Sequence, residues 1–193
     1  MNEVEKHFLE EVRRQFRGHK RVGEGAIAQL KDDELFVAID QESNSVAILV
    51  KHLAGNMHSR FTDLLTSDGE KPDRHRDQEF ELAPNTTREE LMRAWEQGWT
   101  LVFSAVGSLK PDDVMRTVYI RQEPHTVLQA LNRALAHYAF HVGQIVFLAK
   151  HLRASEWKTL SVPRGKSEEF NRMSVEQRRK GQGPVAKGPT REP

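Results

Sequence analysis

The sequence predicts an all-α fold, a four-helix bundle, and three observations carry that reading. Apolar residues recur at steps of three and four through four separate stretches. Helix-start signals precede the second and third of them, and β-branched and aromatic residues stand in a row in only one short segment. Each stretch has the length of a helix of roughly 20 residues or more, about 30 Å at 1.5 Å per residue, which suits packing side by side.

The first helix is expected from residue 3 to about 31, where Val4, Phe8, Val12, Gln15, His19, Val22, Ala26 and Leu30 share one side. The glycines of "GEG" weaken it, since each costs up to about 1 kcal/mol relative to alanine. A second helix is expected after "ESNS", whose side chains can accept from the free amides of an opening turn, and should run to about Ser67. Its apolar side is Val46, Val50, Leu53, Met57, Phe61 and Leu64. The stretch "SDGEKPDRHRDQEFELAPNT" is polar, holds two prolines and reads as a long surface loop between the second and third helices.

Thr87 and Glu90 match a capping box, so the third helix is expected to begin there and to end before "KPDD". "RTVYIRQ" has the composition of an extended segment, and the fourth helix opens near "PHT" and runs to about Leu152. Trp157 and Leu160 need cover, so the segment after it should be ordered in part. The end, rich in Gly, Pro and charge, is expected to be disordered. The expected division is therefore one domain over residues 1–170 and a disordered tail over 171–193.

Composition narrows the function classes. The formal net charge is +1, so no global field draws in nucleic acid or an anionic membrane. The basic tail lacks the interleaved aromatics of single-strand binders, and no nucleic-acid partner is expected. There is no cysteine, which excludes disulfides, thiolate metal sites and a thiol nucleophile on the chain itself. No stretch has the roughly 18 uninterrupted apolar residues of a membrane span and the N-terminus lacks a signal-like apolar core, so a cytoplasmic protein with no membrane partner is expected.

The chemistry concentrates in "LAHYAFHVGQI". On a helix, His137 and His141 fall on the same arc as Val127, Ala130, Ala134, Ile145 and Leu148, with Gln144 close below His137. An unpaired buried polar group costs about 1–3 kcal/mol, so both imidazoles require partners. Side chains four apart have Cβ atoms about 5–6 Å from one another, close enough for two nitrogens to reach one divalent ion. A third ligand has to come from elsewhere. His75, His125 and His151 are expected at the surface, and His52 and His58 point to nearly opposite sides of the second helix. His52 lies off the apolar stripe and fits solvent as well as a polar cleft, while His19 sits on the inward stripe of the first helix, so periodicity leaves the two as rivals.

The segments "SVAILVKHLAGNM" and "LAHYAFHVGQI" resemble the DinB/YfiT-like superfamily of small metal-binding four-helix bundles. That superfamily carries one histidine on the second helix and a His-x-x-x-His pair on the last, followed by Gly-Gln. The likeness spans residues 3 to about 155, and "LSVPRGKSEEFN" is similar to an extension in one uncharacterised branch. The resemblance implies that His52, His137 and His141 hold the metal. Asn56, Gln144 and His19 are assigned here, apart from the resemblance, as residues that support those ligands. It also implies one divalent ion, zinc or nickel foremost, with manganese or iron as further candidates. Three neutral ligands leave a coordination position open, the arrangement of catalytic zinc, where a bound water or thiol is acidified. Relatives include thiol-dependent transferases and isomerases, so a small-molecule substrate and a low-molecular-weight thiol are the expected partners, and a homodimer is the expected assembly.

Other motifs fail. A His-Glu-x-x-His protease needs a glutamate where Tyr138 stands, and no Glu-x-x-His repeat, phosphate loop or dinucleotide fingerprint occurs. No acid or base is singled out, since Glu96, Asp63 and the loop carboxylates all compete for that role. The expectation is a metal-dependent enzyme that activates a thiol or water for transfer to, or hydrolysis of, a small molecule. The alternative is a non-catalytic metal-binding bundle with a structural or stress-related oligomerisation role.

Overall fold

A computed structural model describes residues 3–179, and the chain is mostly helical across them. Helix α1 (Glu3–Ile27) buries Leu9, Val12, Phe16 and Ala26. The glycines do not break it, because Gly23 is where α1 meets an indole: a Cβ there would come within 3.1 Å of the Trp95 ring. The helix stops short of residue 31, since the amides of Gln29 and Leu30 bond back only three residues, to Ala26 and Ile27. Arg88 then takes the carbonyls of Ile27 at 2.8 Å and Leu30 at 3.1 Å, satisfying acceptors that a helix end leaves open.

Helix α2 (Val46–Phe61) opens on Ser45, whose side chain accepts from the Ile48 amide. It ends earlier than periodicity suggests, because Thr62 turns extended and Asp63 takes a left-handed φ of 49°. Thr66 and Ser67 are turn residues whose amides bond to the Asp63 carbonyl. Helix α3 (Arg88–Ser108) carries the expected capping box of Thr87 and Glu90, and helix α4 (Val127–Arg153) has a second one from Thr126 and Gln129.

Between α3 and α4, strand β1 (Thr117–Ile120) pairs antiparallel with β2 (Glu123–Thr126), with Ile120 opposite Glu123. The two-residue turn, Arg121 and Gln122, needs positive φ at both positions and has 55° and 65° without a glycine. Asp68, from the long loop, offsets that strain: its carboxylate accepts from the amides of Arg121 at 2.8 Å and Gln122 at 2.7 Å. The Gly69 amide adds a bond of 2.7 Å to the Tyr119 carbonyl, so loop and hairpin form one wall.

Helix α1 packs on α4 and α2 on α3, while α2–α4 and α1–α3 contacts join the pairs around one core. An aromatic from each helix meets at its centre. The ring of Phe16 lies 5.9 Å from Phe61, 6.2 Å from Trp99 and 5.7 Å from Tyr138, and such pairs contribute about 0.5–1.5 kcal/mol each beyond the area they bury.

After Ala154, at a φ of 44°, the chain leaves α4 and half-buries Trp157 against the core. Gln29 clasps the Lys158 backbone through both amide atoms, at 2.7 and 3.0 Å. Helices α5 (Ser167–Arg172) and α6 (Val175–Arg179) follow. Of the tail expected to be disordered, residues 180–193 lie outside the described residues. No described helix is long and apolar enough to cross a membrane.

Candidate metal centre

The buried face of α4 centres on Tyr138 rather than on the histidines, with Ala134, Val142 and Ile145 beside it. His137 and His141 therefore sit at the edge of the core, half-buried, where α4 borders a cavity of about 380 Å³. His52 enters the same cavity from α2 and is itself buried at 3% exposure. Its place beside the apolar stripe, which periodicity read equally as solvent or cleft, is the cleft.

The three imidazoles converge. Ring centroids are 5.2 Å apart for His52 and His137, 4.9 Å for His52 and His141, and 4.5 Å for His137 and His141. One nitrogen from each lies within 4.8 Å of the others. Three ligands at about 2.0–2.1 Å around a tetrahedral ion would stand about 3.3 Å from one another, so small ring rotations close the set.

The outer nitrogens are already committed. Nδ1 of His52 stands 2.8 Å from Oε2 of Glu79, and Nδ1 of His141 stands 2.7 Å from Oε1 of Gln144. With Nδ1 of each ring engaged by an oxygen, Nε2 is the nitrogen left to coordinate, the pattern by which outer partners fix a ligand's tautomer. His137 supplies the test of fit: its Nε2 is buried and has no hydrogen-bond partner. An unpartnered ring nitrogen beside two rings tied on their other side is a donor set that one divalent cation could satisfy.

Electrostatics favour the neutral forms of His137 and His141, which coordination requires. Burial, then the charges of His141, His52, Arg60 and Arg74, push the His137 pKa down to about 4. Burial also lowers that of His141; the bond to Gln144 opposes the shift, and the charges of His52 and Arg76 add to it. Glu79 is the counterpart. Burial raises its pKa, but the bonds from His52 and Arg74 and the charge of Arg74 prevail, so the carboxyl is held below its usual range.

Glu79 comes from the short 3-10 turn Arg76–Phe80 in the long loop. Arg74 grips it in two places, Nε to Oε1 at 2.8 Å and a terminal nitrogen to Oε2 at 2.9 Å. Phe80 lies against His52 with ring centroids 4.8 Å apart. Room for the carboxylate is made by Gly55, where a Cβ would come within 2.8 Å of the Glu79 Cδ. Of the carboxylates that competed for a role, Glu79 reaches the histidines, Glu96 pairs with Lys20 at 2.8 Å, and Asp63 is exposed at the end of α2. The approach of Glu79 across 27 positions left no periodic trace in the sequence.

Asn56 is buried beside the cavity and accepts from the Tyr138 hydroxyl at 3.3 Å, which ties it to the core. Gln144 bonds His141 directly. His19, half-buried on α1, lies outside the convergent group. His7, His58, His75 and His151 are exposed, and half-buried His125 bonds the Glu123 carbonyl at 3.0 Å.

No curated protein matches the chain. A family described as a protein of unknown function, DUF1572, matches residues 3–166. That span includes all four long helices and every residue of the histidine cluster. The chain belongs to the DUF1572 family.

Proposed function

We propose that this protein is a divalent-metal-dependent enzyme that activates a thiol or a water for transfer to, or hydrolysis of, a small molecule. In this reading residues 3–166 form a four-helix bundle of the DinB/YfiT-like type, with the metal held by His52, His137 and His141 between α2 and α4. The single observation that carries it is the arrangement of nitrogens: His52 and His141 are tied on their outer side, and all three rings share one open cavity.

Each residue has a definable task. Glu79 and Gln144 hold the rings of His52 and His141 with Nε2 inward, and Asn56 with Tyr138 stiffens the back wall. A divalent ion at this site, zinc or nickel foremost, supplies an electrophilic centre that lowers the pKa of a thiol or water bound beside it. Phe80, packed against His52, supplies apolar cover on that side of the histidines. With no cysteine on the chain, any thiol enters as a cosubstrate.

A second reading is favoured by Phe140 and Phe147, both 65% exposed on α4. Together with Ile39 they form an apolar surface suited to self-association, which fits a metal-binding protein that acts through oligomerisation. The test starts with protein prepared without nickel resin and loaded with zinc, nickel or manganese. It measures consumption of a thiol with an electrophilic acceptor, and hydrolysis of ester and amide panels. Turnover above the blank that disappears in His141→Ala, with helicity retained, supports the enzyme. Stoichiometric metal without any turnover, and unfolding on metal removal, supports the second reading.

A further inference from the structure

The walls of the histidine cavity carry a charge pattern that the reaction class alone does not explain. Arg60, Arg74, Arg76, Arg121 and Arg133 line it, and no aspartate or glutamate does among the described residues. The carboxylates that answer these cations stand behind the wall. Glu70 is shared by Arg60 at 2.9 Å, Arg121 at 3.0 Å and Arg74 at 3.4 Å, and Glu79 takes the two short bonds of Arg74. Arg60, Arg74 and Arg121 share these two carboxylates and Asp68 acts on Arg60 as well, so the unanswered positive charge of the wall rests with the other two arginines.

The remaining two are less constrained. Among the described residues Arg76 pairs only with Asp77, at 3.6 Å and almost wholly exposed, and its guanidinium lies 5.0 Å over the Phe80 ring. Arg133 makes no ion pair among the described residues and stands one helical turn before His137 on the same side of α4. One cation therefore sits beside the ring that covers His52, and the other a turn, about 5.4 Å, along the helix from His137. Lined by cations with apolar faces between them, such a cavity selects for an organic anion and raises its local concentration.

We propose that the site takes a small organic anion, its acidic group held by Arg76 and Arg133 while its reactive end faces His52, His137 and His141. This inference rests on the metal-centre reading for the reactive end and on the arginines alone for the acidic end. A volume of about 380 Å³ suits a molecule of metabolite size. The acidic group belongs a few bonds from the reacting atom, because the two cations lie within a turn or a ring of the histidines.

The test compares mercaptosuccinate, a thiol with two carboxylates, with thioglycerol, a neutral thiol of similar size, by calorimetric titration of zinc-loaded protein. A parallel arm titrates succinate and succinamide into protein freed of metal with a chelator. The expected result is at least about tenfold tighter binding of mercaptosuccinate, weakened by added salt, and a preference for succinate that survives in the metal-free arm. In Arg76→Gln/Arg133→Gln both preferences fall at least fivefold, while zinc stoichiometry stays at the wild-type value. Equal affinity for charged and neutral probes, or a double variant indistinguishable from wild type, overturns the inference and leaves the metal site standing. Failure to take up zinc, with the succinate preference intact, sinks the metal reading and leaves the anion site.

Discussion

Glu79 is the side chain on which the loop and the histidine site jointly depend, and its replacement by alanine separates two effects. Arg74, with a side chain only 5% exposed, loses its bonds of 2.8 and 2.9 Å and keeps Glu70 at 3.4 and 3.5 Å. Removing one partner of a buried pair costs about 3–5 kcal/mol. The retained charge of Glu70 places this variant near the lower end, which a domain of roughly 5–15 kcal/mol survives. His52 meanwhile loses the acceptor of its Nδ1–H, and loss of such an outer partner weakens metal affinity by about 10–100-fold, or about 1.4–2.7 kcal/mol. Urea unfolding of metal-free protein reads the first effect, and competition for zinc against a chelator of known affinity reads the second. Glu79→Gln, which keeps an acceptor but no charge, should fall between alanine and wild type in both. Because the carboxyl is held below its usual 4.5, its contribution is complete above that pH and is lost as pH falls through the lower value in the folded state. Zinc affinity that is unchanged in Glu79→Ala while stability drops would show that the carboxylate serves only Arg74, and would refute its assignment as the group that positions His52.

Three further outcomes follow from the same geometry. Gly55→Ala should gain up to about 1 kcal/mol of helix propensity, yet lower zinc affinity, because its Cβ would lie 2.8 Å from the Glu79 Cδ; the same competition assay detects it. Asp68→Ala should free the Arg121 and Gln122 amides at a cost of about 1–3 kcal/mol, seen as faster hydrogen exchange confined to the β1–β2 hairpin and the adjoining loop. Metal-free protein should lose stability as pH falls from 6.5 toward 4. Over that window the unfolded chain takes up a proton that His137, held at about 4 in the fold, does not accept; His137→Gln should flatten this slope in denaturant titrations across pH.

The sequence makes the long helices legible because capping chemistry and apolar period are local. Thr87 with Glu90 marks the start of α3 to the residue, and the periodic stripe of α4 places His137 and His141 on one side. Ends set by tertiary partners are less visible: α1 stops where Arg88, far along the chain, reaches its carbonyls, and α2 stops at a left-handed Asp63 that composition does not announce. The pairing of His137 with His141 follows from spacing, whereas the choice of His52 over His19 came from a family resemblance. His52 flanks the apolar stripe on the side that the loop covers with Glu79 and Phe80, a placement that periodicity alone leaves open. Glu79 and the lining arginines were beyond reach for one reason: they converge from a loop, a hairpin and two helices, and no periodicity relates positions so separated.

The most direct test of the metal centre is X-ray absorption of the zinc-loaded protein combined with metal counting in wild type and in His52→Ala, His137→Ala and His141→Ala. The account predicts one zinc per chain, three imidazole nitrogens at about 2.0–2.1 Å plus an exchangeable light-atom ligand, and loss of stoichiometric zinc in each variant. A wild-type protein that binds no zinc, or zinc whose spectrum and stoichiometry are unchanged when all three histidines are replaced, would contradict it.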